Sequence, residues 1–418
     1  MIRRRMVRSR AAKCMAAECL HAAAETQAKN ACPATSELKL GGWQAKAPAP
    51  RETACATTVE LRGSMKTLTI AVIAGDGVGL EVVPQAKRVL EKTAHKHNVT
   101  FAFQDFEWGA SHFFRWGKMM PAGALDLLQP CDAILLGAVG HPDIPDHTTL
   151  NGLLLPIRRA FDQYANVRPA YLYPGVKSPL AGRAGGEIDM VIVRENTEGE
   201  YAQVGGFVYM AQPEEVAIQT SVFTRRGVER VVRYAFELAV KRGKKRRVTS
   251  ITKSNAQGFG MALWDRTFQD VAADFPGIET ESLLVDAAAM NFVRRPESFD
   301  VVVASNLFGD ILSDISAIII GSMGLAASAN LDPQRRYPSM FEPVHGSAPD
   351  IAGTGVVNPM AAILSASMML EHLELPEAAR EVERAVAAVL AEGNVRTPDL
   401  GGTSSTQEVT DAVLEKMA

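Results

Sequence analysis

Asn306-Leu307-Phe308-Gly309-Asp310-Ile311-Leu312-Ser313-Asp314 follows a valine-rich run, Phe299 to Ala304. The run reads as a buried strand and Gly309 as the turn out of it, so this stretch predicts a strand handing over to a helix. In such a helix Asp310 and Asp314 share one face, one turn apart. Like charges at that spacing repel, so the pair asks for a cation. Oxygen donors alone favour Mg²⁺ or Mn²⁺ over zinc. A solvated helix face carries the same pattern more often, and two aspartates by themselves do not decide.

Working outward, the same handover recurs. Val248 to Thr252 reads as a strand leading to Lys253, and Glu281 to Val285 as a strand delivering Asp286. Lys253, Asp286 and Asp310 thus each sit just beyond an apolar strand, at one end of a predicted sheet, where open α/β folds place ligands. Near the start of the folded region, strand Leu68 to Ala74 runs into Gly75-Asp76-Gly77-Val78-Gly79 and then a helical period from Glu81 to Thr93. A glycine turn there lets a ligand approach the backbone, although the spacing is not G-x-G-x-x-G. Thr100 to Glu107, Ala122 to Leu128 and Ala133 to Leu136 continue a strand–helix–strand rhythm. That rhythm predicts an α/β fold with a largely parallel sheet.

Arg158 and Arg168 flank a helix-like segment, and Arg194 ends the predicted strand Asp189 to Val193. Arginines at such ends can clamp carboxylates in bidentate fashion, though a surface salt bridge is their commoner use. A hairpin-rich section, Phe207 to Met210 and Glu215 to Phe223, precedes a helix over Arg226 to Arg242. Further helices are predicted over Phe259 to Phe275, Met360 to His372 and Glu377 to Glu392. The basic run Lys244 to Arg247 reads as a helix end complementing the macrodipole rather than a nucleic-acid surface.

The 418 residues are 47% hydrophobic, enough for a sizeable core. A net charge of −3 leaves no global basic field for nucleic acid. No run approaches the roughly 18 apolar residues that span a bilayer. The five cysteines, Cys14, Cys19, Cys32, Cys55 and Cys131, form no Cys-x-x-Cys, so neither a disulfide framework nor a zinc site is expected and a reducing, cytoplasmic setting fits. Residues 1–64, rich in arginine and alanine, are expected to be a disordered or mis-called N-terminal extension, with Met65 as the true start in the latter case and an organellar transit peptide as the alternative.

Together these motifs resemble one family, the β-decarboxylating dehydrogenases acting on isocitrate, isopropylmalate, homoisocitrate, tartrate and D-malate. The resemblance covers Met65 to the C-terminus. Its most specific piece is Asn306 to Leu325, supported by Gly75 to Gly79, the three arginines, Tyr201, Lys253, Asp286 and His345 to Asp350. It implies an isopropylmalate-dehydrogenase-like α/β fold, not a standard Rossmann fold, with two subdomains flanking a central cleft. Residues 65–164 and 322–418 would form a large cofactor-binding subdomain, and 165–321 a small subdomain carrying a dimer interface.

The resemblance implies further that Asp286, Asp310 and Asp314 hold Mg²⁺ or Mn²⁺. Arg158, Arg168 and Arg194 would grip substrate carboxylates, with Leu154 and Asn151 at the variable end of the substrate. Lys253 would take the hydroxyl proton and Tyr201 would protonate the enolate carbon. Gly75, Val78, Glu342, His345, Gly346, Ser347, Ala348, Asp350 and Asn358 would border the cofactor. A carboxylate at Asp350 suits the ribose hydroxyls and would repel a 2′-phosphate, which implies NAD. Lys253 and Asp286 would reach across from a second subunit, so a homodimer is expected.

Within the family, Gly152 and Leu154 stand where isocitrate readers need serine and asparagine. Phe161 to Tyr164, Ser221 to Val228 and Ser328 to Leu331 look like the tartrate and D-malate branch. Asn151, where that branch usually has tryptophan, and Val285 to Met290 depart from it. The expected activity is therefore oxidative decarboxylation of D-malate or tartrate. 3-Isopropylmalate is the alternative substrate, and a non-catalytic regulatory subunit the remote alternative.

Overall fold

A computed structural model describes residues 66–417. The readings made for residues 1–64, and for the cysteines Cys14, Cys19, Cys32 and Cys55, lie outside that range. Cys131 is buried and free.

Twelve strands are present among the described residues: β1 (Lys66–Gly75), β2 (Val99–Asp105), β3 (Ala133–Ala138), β4 (Ala165–Tyr171), β5 (Asp189–Glu195), β6 (Gly199–Val208), β7 (Val216–Val222), β8 (Arg247–Thr252), β9 (Glu279–Leu284), β10 (Val301–Ala304), β11 (Ala327–Leu331) and β12 (Ser339–Pro343). Ten join one sheet in the order β2-β1-β3-β12-β11-β4-β5-β10-β8-β9, while β6 and β7 form a separate antiparallel hairpin. Every residue of β3 and β10 is buried, as expected of continuous apolar runs in parallel strands covered on both faces. Along β1 the side chains alternate between two cores: Leu68, Ile70 and Val72 pack in one, Ala71 and Ile73 in the other.

Strand direction positions the site. Neighbours are parallel except at β12–β11, β11–β4 and β4–β5. The direction therefore reverses across the middle of the sheet. The strands from residues 66–164 and 322–417 (β2, β1, β3, β12, β11) fill one half of the order, and those from 165–321 fill the other. The carboxyl ends of β12 and of β5 consequently point to opposite edges. Groups from both halves can meet only over the sheet's centre, not in a crevice at one edge as the strand-end pattern suggested.

Local departures from the expected elements have identifiable causes. Arg158 and Arg168 do not flank a helix: Arg158 lies inside the Leu155–Ala160 helix and Arg168 inside β4. Gly309 makes no turn but sits within the Asn306–Ile319 helix. A Cβ at Gly309 would come within 2.6 Å of the Arg194 Cβ, so the glycine serves close packing of this helix on β5. Asp286 falls in the first turn of the Val285–Arg294 helix. Short helices at Ala110–Trp116 and Asp146–Thr149, a π-helical turn at Leu150–Leu154 and a final helix at Thr406–Lys416 were not foreseen. The 360–372 helix is buried nearly all round, which explains why its sequence shows little amphipathic period. No described helix is long and apolar enough to cross a membrane.

Candidate active site

On three of the central strands, neighbouring side chains serve different cavities. Arg168 of β4, Arg194 of β5 and Glu342 of β12 face one side and line a cleft of about 190 Å³. Val167, Val191 and Phe341, from the same strands, face a different cavity, of about 600 Å³. The first cleft also takes in Leu150, Leu154, Arg158, Tyr201, Asp310 and His345.

The tight approach allowed by Gly309 brings Asp310 against Arg194. The Arg194 guanidinium donates to the Asn306 side-chain oxygen from Nε (3.0 Å) and Nη2 (2.7 Å), and from Nη1 to Asp310 Oδ1. Arg168 Nη1 donates to the same Asp310 oxygen at 3.2 Å and to Ser313 Oγ at 2.6 Å, and stands 3.7 Å from Asp314. The Tyr201 hydroxyl donates to Asp310 Oδ2 at 2.9 Å. Arg158 is held by Glu342, Nη2 to Oε1 at 2.8 Å, and Asn330 Nδ2 donates to that same oxygen at 2.7 Å.

These neighbours set the charges. Burial pushes the Asp310 carboxyl up, but Arg194, Arg168 and the Tyr201 hydrogen bond outweigh it and hold Asp310 below the usual carboxylate range. At Asp314 burial wins over Arg168, and its pKa rises. Burial and then the Asp310 charge push the Tyr201 phenol up against the opposing pull of Arg194. The phenol therefore stays protonated near neutral pH, as a proton donor must. Burial brings Arg194 down to about 10, which leaves it cationic at neutral pH.

An adjoining groove of about 540 Å³ shares Leu150, Leu154, Val139 and Gly346 with the cleft and adds His141, Thr149 and Ser347. The Gly75 loop forms one of its supports. A Cβ at Gly77 would come within 2.1 Å of the Ser347 carbonyl oxygen, and one at Gly75 within 2.0 Å of the Ala138 oxygen. The Val78 N–H donates to that Ser347 oxygen at 2.9 Å, while the Val78 side chain is core. Of the residues expected at the cofactor, Gly346 and Ser347 line this groove, whereas Glu342 and His345 line the cleft instead. Ala348 follows with φ of +40°, and Asp350 is exposed. Asn358 is occupied structurally: its Oδ1 accepts the Met360 N–H at 3.0 Å and its Nδ2 donates to Asp399 at 3.0 Å.

Other groups came unannounced by the sequence reading. Asp76 accepts the N–H groups of Ala110 (2.7 Å) and Gly140 (2.9 Å), tying two loops beside the groove to the Gly75 turn. Burial lifts its pKa above the ordinary value despite those bonds. Glu81 accepts the N–H groups of Gly353 and Gly355, anchoring the segment after Asp350. The small residues of Gly137-Ala138-Val139-Gly140, which close β3 and run past it, were the one available hint.

Lys253 and Asp286 lie past the ends of β8 and β9 but do not line the cleft. They pair with each other, and that hydrogen bond holds the exposed Asp286 carboxyl low. Asn151 also does not line the cleft; its Oδ1 accepts from Gln203. Among the described residues no three His, Cys, Asp or Glu side chains gather as a metal cluster. Asp310 and Asp314 suit a hard divalent cation in kind, since both offer carboxylate oxygen beside the cleft. One chain thus presents two carboxylates of the expected three together.

A family model described as isocitrate/isopropylmalate dehydrogenase matches residues 69–413. The tartrate dehydrogenase/decarboxylase of Pseudomonas putida is 50% identical over 357 residues, 84% of this chain and 97% of that protein. The D-malate dehydrogenase [decarboxylating] of Escherichia coli (strain K12) is 49% identical over 356 residues, 84% of this chain and 98% of that one. Among solved structures, isocitrate dehydrogenase from Methylococcus capsulatus superposes with a TM-score of 0.77 at 37% identity, covering 84% of this chain and 99% of its own.

Proposed function

The chain belongs to the isocitrate/isopropylmalate dehydrogenase family and is a decarboxylating dehydrogenase; from that premise we propose that it oxidises and decarboxylates D-malate or tartrate, using NAD and Mg²⁺ or Mn²⁺. The observation that carries this reading is the convergence of Arg158, Arg168, Arg194, Tyr201 and Asp310 on one cleft of about 190 Å³. Three guanidiniums around so small a space suit a short substrate with two carboxylates. The names of the relatives above point to the same substrates.

When bound, NAD supplies the hydride acceptor and the divalent cation supplies positive charge beside the developing enolate. Asp310 and Asp314, with Asp286 of a second chain, would hold the cation. The chain's own residues do the rest. Arg158, Arg168 and Arg194 grip and orient the carboxylates. Lys253 takes the proton from the substrate hydroxyl at Nζ. After CO₂ has left, the Tyr201 O–H gives a proton to the enolate carbon. Asp350, exposed at the edge of the cofactor segment, favours a ribose with free hydroxyls over a 2′-phosphate.

The site is completed in a homodimer, in which Lys253 and Asp286 of one chain serve the cleft of the other. Phe207, Tyr209, Met210 and Ile218 of the β6–β7 hairpin, with Met290, Ile311 and Ile318, expose apolar surface suited to such an interface. The two halves of the sheet act as the large and small subdomains that border the cleft.

Leu150 and Leu154 in the cleft wall favour one second reading, the alkyl group of 3-isopropylmalate. Gly152 faces Met119 outside the cleft, and Leu154 in the cleft wall offers no polar group for a third carboxylate, which argues against isocitrate. NADH formation with D-malate, L-tartrate and 3-isopropylmalate in the presence of Mn²⁺ separates these readings. Turnover of either of the first two is expected. Activity on 3-isopropylmalate alone would establish the second reading, and none on any of the three would sink both.

A further inference from the structure

We propose that Arg159, Asn151 and Gln203 are positioning residues for Tyr201, acting as a clamp on a bulge in β6. The proposal rests on the reading of Tyr201 as proton donor.

The hairpin pairs regularly from Val204 opposite Thr220 to Val208 opposite Val216. Its next partners are Gly199 and Val222, so five steps along β6 face two along β7. The surplus residues bulge out of the ladder, and they include Tyr201 and Gln203. A bulge bends its strand and re-aims a side chain, and bulges gather beside active sites for that reason. Here the ring is carried into the cleft, where its hydroxyl meets Asp310 and Arg194 lies 5.2 Å from the ring centroid.

The bulge has a conformational cost. Gln203 has φ of +58°, a left-handed conformation that a non-glycine residue adopts only at a cost. Such a conformation persists only where surroundings over-determine it, and the Leu150–Ala160 segment does so. Arg159 Nη2 donates to the Tyr201 carbonyl oxygen at 2.6 Å, and its Nη1 donates to Gln203 Oε1 at 3.3 Å. Gln203 Nε2 donates to Asn151 Oδ1. The phenol end of Tyr201 is thus held by the Asn306–Ile319 helix and the backbone end by the segment opposite.

Arg158 and Arg159 are consecutive on one short helix. The first is buried against Glu342 in the cleft wall, while the second is exposed and reaches the backbone of the acid. Their adjacency couples the grip on a substrate carboxylate to the placement of the proton donor. Because Arg159 is exposed, packing does not explain its contacts.

The test is a set of variants assayed for kcat, both KM values and the solvent deuterium isotope effect. Arg159→Met keeps the aliphatic stem and removes the donors. It should lower kcat about tenfold to a hundredfold, the scale of a small misplacement at a reacting group. Both KM values should stay within about twofold, and the isotope effect should rise as proton transfer to carbon slows. Arg159→Lys should recover part of the loss. Gln203→Gly accepts the left-handed backbone without its cost, yet should also lose kcat because the side-chain grip is gone. On the residual turnover of Tyr201→Phe, Arg159→Met should have no further effect. An equal loss in both backgrounds, or a loss confined to KM, would overturn the clamp while leaving Tyr201 as donor. Wild-type kcat in Tyr201→Phe alone would overturn the donor reading and the clamp with it.

Discussion

Asp310 and Asp286 occupy equivalent places in the fold and live in opposite environments. Each follows a strand of the main sheet, Asp310 coming six residues after the end of β10 and Asp286 two after the end of β9. Asp310 is drawn under two arginines and a tyrosine, with only 31% of its side chain exposed. Asp286 has 58% exposed and one companion, Lys253. Equal positions at strand ends therefore do not make one site. The difference comes from the Asn306–Ile319 helix, which can lie against β5 because of Gly309, whereas the turn into the Val285–Arg294 helix leaves Asp286 facing outward.

The comparison breaks first at Asp310. Asp310→Asn keeps an acceptor for Arg194 and Tyr201 but halves the charge offered by the Asp310–Asp314 pair. Turnover should fall by about 10²–10³-fold or more, the scale of lost preorganised charge stabilisation, with circular dichroism unchanged. Wild-type activity would remove Asp310 from the site.

The outward face of Lys253 and Asp286 offers the next test. Lys253→Met and Tyr201→Phe chains, each nearly inactive alone, should regain about a quarter of wild-type activity when unfolded, mixed one to one and refolded. Half of the randomly formed dimers then hold one intact site. No recovery in a mixture shown to contain mixed dimers would mean that each cleft uses its own lysine.

Gly309→Ala probes the contact that separates the two environments. The added Cβ meets Arg194 at 2.6 Å, so helix or strand must shift. A loss of about 1–3 kcal/mol in urea unfolding is expected, together with a higher substrate KM. An unchanged midpoint would show that the contact is loose.

The smallest effect provides a reference away from the cleft. Burial, aided by Arg335, brings the His372 imidazole down to about 4 from 6.5. The folded state then holds it neutral where the unfolded chain takes a proton. Its contribution is complete above about pH 6.5 and is lost as pH falls toward 4. His372→Gln should flatten that part of the pH dependence of the urea midpoint, with kcat unaltered. An identical pH dependence in the variant would mean that His372 titrates alike folded and unfolded.

Much of this was legible in the order of residues. Valine-rich runs marked β10 and the core strands because buried parallel strands have little else to be made of. Arg194 and Asp310 stood out beside such runs, Arg158 and Arg168 as a pair around one segment, and Tyr201 through motifs shared by a family. Other features were not legible. Nothing in the sequence sets Arg159 apart, because its partners are a carbonyl and a glutamine 42 and 44 positions away. Asp76 and Glu81 carry no mark of their own role, because what they bind is backbone, and only the small residues Gly137 to Gly140 hint at one of the close approaches.

The amino-acid order alone determined the alternation of strands and helices, the family and the identity of the charged groups. Periodicity and motif spacing are local properties, and a chain carries them wherever it lies. Only the tertiary structure decided that Asp310 joins the arginines and Asp286 does not. That outcome depends on the reversal of strand direction at β11 and β4, and on one helix approaching one strand closely enough that only a glycine fits.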